Sequence, residues 1–98
     1  MTEYEAGCLV QSLAGHDRGG LFIIIREDGD YVYLADGRTR SVSKPKRKKK
    51  KHVQLSSRRD PELSQRLAQG MSVRDEEIRY FMRRVQQGGN EDVESRCD

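Results

Sequence analysis

The stretch that decides the fold is Leu21-Phe22-Ile23-Ile24-Ile25-Arg26-Glu27-Asp28-Gly29-Asp30-Tyr31-Val32-Tyr33-Leu34-Ala35-Asp36-Gly37. Residues 21–25 are uninterrupted, β-branched-rich and too short for a helix. Gly19-Gly20 precedes them and Asp28-Gly29-Asp30 comes after, so they predict a strand. Asp28-Gly29 is a tight-hairpin signal, which makes residues 31–34 the return strand. Alternation along that strand sends Val32 and Leu34 to the core. Tyr31 and Tyr33 then share the other face, where they either cover the rim or stack on bases. Phe22, inside the apolar run, is a core residue.

Working outward, Asp36-Gly37 is a second turn signal and leads into a strand over residues 38–43. Upstream, Leu9, Val10 and Leu13 flank the polar Gln11 and Ser12 and predict a short first strand. Pro45 and a lysine run interrupt the meander, and residues 52–55 return as the last strand. Five short strands in so few residues must bend around a shared core. The expected fold is mainly β: a small, SH3-like, five-stranded barrel over residues 1–56, with a basic loop at 44–51, followed by a short α-helical C-terminal tail.

That tail, residues 57–89, reads as two short helices over 61–69 and 72–87. Asp60 is an N-cap candidate with Pro61 at the first helical position, and Gly70 stands where a C-terminal glycine belongs. Asp75, Glu76 and Glu77 fill the first turn of the second helix, where the helix dipole favours acids. Ile78, Phe81, Met82 and Val85 recur at i, i+3, i+4, i+7 as one apolar stripe, which either packs on the barrel or first helix or docks a partner. Gly88-Gly89 reads as the helix end, and residues 90–98 as a disordered acidic tail. On this reading, deleting residues 60–98 leaves the barrel folded.

Charge is segregated along the chain. The formal total is +3, from 19 Lys+Arg and 16 Asp+Glu. Yet residues 1–37 sum to −5, residues 38–59 to +11 with no acid, and residues 60–98 to −3. The middle block is where a polyanion would bind. With 34% apolar and 36% charged residues, no large core runs through the whole chain. The apolar run at 21–25 is far short of the ~20 residues of a membrane span. Residues 1–7 lack the pattern of a signal peptide, so a cytoplasmic protein is expected. Cys8 and Cys97 show no metal-ligand spacing and read as reduced thiols.

The motif with functional content is Gly7-x-Leu9-Val10-x-Ser12-x-Ala14-Gly15-His16-Asp17-x-Gly19. A strand runs into a glycine-bearing loop and on into the next strand. Gly15 and Gly19 permit positive φ and close approach, so the loop can fold tightly and present N–H groups to a phosphate or base edge. Together with Lys44-Pro45-Lys46 further on, this resembles the KOW motif of a bacterial family of RNA-binding proteins, relatives of a large-subunit ribosomal protein of archaea and eukaryotes. The resemblance spans about residues 4–55; Gly20 is an added glycine, and the helical tail lies outside it. It implies an SH3-like barrel that binds RNA, ribosomal RNA above all, without catalysis and with no cofactor, metal or small-molecule substrate.

The residues also point to RNA directly. Lys46, Arg47, Lys48, Lys49, Lys50 and Lys51 are consecutive cations, expected in a solvated loop and suited to phosphate. Arg38 and Arg40 can fork to base edges or phosphates; Lys44 adds charge, and His16 offers a ring for stacking. The expected contact set is Gly15, His16, Asp17, Arg18, Gly19, Arg38, Arg40, Lys44, residues 46–51 and His52. A histidine-centred enzyme site lacks a third partner and a pocket in so small a barrel. The alternatives are a protein-interaction module using the barrel and the apolar stripe, or a DNA-binding nucleoid-type protein. Ribosomal proteins are further possible partners.

Overall fold

In the computed structural model the described residues are 4–15 and 18–94. Five antiparallel strands, β1 (Cys8–Ser12), β2 (Leu21–Asp28), β3 (Tyr31–Ala35), β4 (Lys46–Lys49) and β5 (Val53–Arg59), form one sheet in the order β4-β3-β2-β1-β5. A single 3-10 turn, Lys50–His52, joins β4 to β5. Those two strands are the edges of the sheet, yet only three residues separate them. Such a link spans at most about 14 Å between flanking Cα atoms, so the edges curl toward each other. Register shifts in β1–β5 between Cys8 and Val10, and in β2–β3 between Ile24 and Arg26, supply the bend. The small β barrel with a helical tail expected from the sequence is present, as a curled half-barrel.

The apolar run of β2 fails to alternate because both faces are covered. On the concave side Phe22 and Ile24 pack with Cys8, Val10, Val32, Leu34 and Val53. On the convex side Leu9 and Ile23 pack with Leu63, Val73, Ile78, Phe81 and Met82. The second cluster joins sheet and helices in one core. Helix α1 (Pro61–Ala68) is capped by Asp60, whose carboxylate accepts from the Glu62 and Leu63 N–H groups at 2.9 and 3.4 Å. It closes on Gly70, with Gly70 N–H donating to Leu67 O (3.1 Å) and Met71 N–H to Arg66 O (2.8 Å), the Schellman pattern. Arg66 ties α1 to helix α2 (Asp75–Glu94) through Glu77. That bond holds the Glu77 carboxyl below its ordinary range and raises Arg66 above its own.

Three expectations are corrected. Residues 38–43 are not a strand: the segment between β3 and β4 is a loop gripped by α2. Val42 N–H donates to the Asp75 carboxylate (2.7 Å) and the Arg79 guanidinium to Gly37 O (2.6 Å). Gly37, at φ 79°, lies so close to α2 that a Cβ there would sit 2.6 Å from Asp75 O. Second, the lysine run is not a solvated loop, because residues 46–49 are β4. Third, α2 begins at Asp75 and continues through Gly88-Gly89 to Glu94; of the expected disordered tail, 90–94 are helical and 95–98 lie outside the described residues. Of the two readings of the helical stripe the packed one holds: Ile78, Phe81 and Met82 are buried against Leu9, Ile23 and Leu63, with Val85 packed beside them. The helices are therefore part of the core, against the expected independence of the barrel.

Candidate nucleic-acid interface

Antiparallel pairing with β3 sorts the basic run by face. Val32 opposes Lys48 and Leu34 opposes Lys46, so these two lysines lie on the concave side. Tyr33 opposes Arg47 and Tyr31 opposes Lys49, so these lie on the convex side with the tyrosines. Val32 and Leu34 are fully buried and both tyrosines half-buried, as strand alternation predicts. Lys48 reaches the glycine loop, where its Nζ donates to Ala14 O at 2.8 Å. Lys50 pairs with Glu27. Lys51 is exposed, and His52 uses its carbonyl to accept from Leu13 N–H at 2.8 Å.

The loop between β1 and β2 is tight, with Gly15 at φ 78° and Gly19 at φ 86°. Its own hydrogen bonds use part of what it was expected to offer a ligand. Gly19 N–H donates to Ser12 O (2.8 Å) and Arg18 N–H to Gly15 O (3.1 Å). The Arg18 side chain is exposed. His16 and Asp17 lie outside the described residues.

Arg38, Arg40 and Lys44 belong to a different region. They sit in the loop after Ala35, at the opposite end of β3 from the Tyr31–Lys49 pair, about 14 Å along the strand. Asp36 organises this loop: its carboxylate accepts from the Arg38 and Arg40 N–H groups and from the Thr39 hydroxyl, each at 2.9 Å. Burial pushes this carboxyl up, but bonds from Arg40, Arg38 and Thr39 outweigh it and hold Asp36 below its usual value. The Arg38 side chain is exposed and Arg40 half-buried. Lys44 is exposed at the next turn, its N–H on Ser41 O at 3.1 Å. The expected contact set thus divides into a cluster around the glycine loop and β4, and a second cluster held by α2.

Sequence reasoning missed Arg26. Its guanidinium carbon lies 3.9 Å from the Tyr33 ring centroid, and that of Arg47 lies 3.6 Å from Tyr31. The signal was present: a hairpin at Asp28-Gly29 places Arg26 beside the return strand's tyrosines. Among the described residues, no group of three or more His, Cys, Asp or Glu side chains gathers to hold a metal, and no helix is long and apolar enough to cross a membrane. No protein-family model matches the chain, and no curated protein matches it.

Proposed function

We propose that this chain is a non-catalytic RNA-binding protein of the KOW type, acting in the cytoplasm on ribosomal RNA or on the ribosome. The observation that carries the reading is the docking of a folded lysine strand onto the glycine loop, with Lys48 Nζ on Ala14 O. The resemblance alone supplies a loop, and the charge count alone supplies a polycation; here they adjoin. Edge strand β4 also suits the role physically. A row of lysines on an open edge discourages pairing with another strand while presenting cations at fixed spacing.

Phosphate contacts by this surface are sequence-independent and salt-sensitive. Lys48 and Lys50 already hold Ala14 O and Glu27, which leaves Arg47, Lys49 and Lys51 as the more outward cations of the run. The deciding experiment is sequencing of RNA crosslinked to the protein in cells, with duplex DNA competing against ribosomal RNA in vitro at physiological salt. Enrichment of ribosomal RNA supports the proposal. Absence of crosslinked RNA, or preference for duplex DNA, defeats it.

A further inference from the structure

We infer that the convex face of β2–β3–β4 is a stacking site for two unpaired, unstacked RNA bases, built from the Arg26–Tyr33 and Arg47–Tyr31 pairs. This rests on the proposed RNA binding and specifies which form of RNA the face takes. The helices cover the convex side at Leu9 and Ile23. Further across the sheet, register places Arg26, Tyr33 and Arg47 in one row and Asp28, Tyr31 and Lys49 in the next. No apolar element is required to explain this patch: each half-buried phenol ring already carries a guanidinium within 4 Å of its centroid, and both arginines are otherwise exposed.

A guanidinium held flat on a phenol ring is immobilised before any ligand arrives. Its outer plane can receive a base by stacking and cation–π attraction, while its edge N–H groups remain available to phosphate. The ordering cost of a flexible arginine is thereby met in advance, which favours binding. Flanking Lys49 and the exposed Lys51 add charge complementary to a polyanion.

Spacing selects the form of RNA. Tyr31 and Tyr33 are two residues apart on one strand, about 6.8 Å. That is twice the roughly 3.4 Å advance per nucleotide of a duplex strand. Neighbouring bases therefore engage both pairs only when pulled apart from one another, as in a loop or an open strand. A helix keeps its bases stacked inward and meets this face only through its backbone.

The test compares a short unstructured pyrimidine oligoribonucleotide with an RNA duplex of equal length, on the full chain. Tyr31→Leu/Tyr33→Leu frees both guanidinium planes and is expected to weaken the single strand by about tenfold, the cost of ordering two arginines on binding, and the duplex less than about twofold. Arg26→Lys/Arg47→Lys keeps the charge and removes the flat plane. It is expected to cost the single strand at least about tenfold, since each base loses the plane it stacks on, with an unchanged salt slope. Should the leucine variant fail to fold, the exposed arginine pair decides the matter. Wild-type affinity for the single strand in these variants, or equal losses on both probes, overturns the stacking site. If Lys49→Ala/Lys51→Ala still weakens binding in that case, RNA binding itself survives. If the wild-type protein binds neither RNA at low salt, the proposed function falls and the stacking site with it.

Discussion

Replacing Ile78 by alanine should destabilise the sheet together with the helices. Ile78 is fully buried and packs with Leu9 and Ile23 of the sheet and with Leu63, Val73, Phe81 and Met82. Truncating an isoleucine in such a site costs about 2–5 kcal/mol, and a position wedged between sheet and helix collapses poorly, so about 3–4 kcal/mol is expected. A domain of this size carries about 5–15 kcal/mol of stability in all. With an unfolding entropy of about 0.2 kcal/mol per kelvin, the melting temperature should fall by about 15–20 °C. The assay is thermal and urea unfolding by circular dichroism, paired with backbone hydrogen exchange. Amides of β2 and β3 should lose protection in step with those of α1 and α2. Retention of wild-type protection in β2 and β3 while the helices open would refute the single shared core. Removal of residues 60–98 should be more severe, since it uncovers Leu9 and Ile23 at once.

Other perturbations test separate parts of the structure. Gly37→Ala combines positive φ with a Cβ driven against Asp75 O and should cost about 2 kcal/mol, read by urea unfolding. Asp36→Ala should cost about 1 kcal/mol at neutral pH, as loss of a capping carboxylate does. Because the folded Asp36 carboxyl lies below its ordinary 3.8, its contribution is whole above that value and is lost as pH falls through the folded value. The gap in urea midpoint between wild type and Asp36→Ala should therefore be flat near neutrality and close below about pH 4. Lys49→Ala/Lys51→Ala should leave stability within about 0.5 kcal/mol. On single-stranded RNA it should reduce the salt slope by about 1.4, two phosphates' worth, in a filter-binding titration.

The strand at β2 and its hairpin were legible because local signals and tertiary packing agree there. The unbroken apolar run also contained more than a strand: lack of alternation is what burial on both faces requires. That detail would have placed the helices on the sheet. β4 was not legible, since lysines are depleted in strands and are fixed there by pairing with β3. The Asp36-Gly37 turn was real, yet the path of the chain beyond it is set by Asp75 and Arg79, far along the sequence, which no local pattern encodes. Likewise, Gly88-Gly89 carries helix-ending signals that the helix overrides. For the site, residue types were readable but grouping was not. The division of Arg38 and Arg40 from Lys48–Lys51 depends on register and on the grip of α2.

The two-sided burial of β2 has a consequence for how the protein is made. As the chain leaves the ribosome, Phe22 and Ile24 find partners soon, in β1 and β3. Ile23 meets Leu9 early but stays uncovered, because its covering residues Ile78, Phe81 and Met82 are synthesised more than half a chain later. The convex apolar stripe thus stays wet through most of translation, and vectorial folding halts at a half-dressed sheet. Completion waits for α2, so truncated products of this chain should be the aggregation-prone species and natural clients of chaperones.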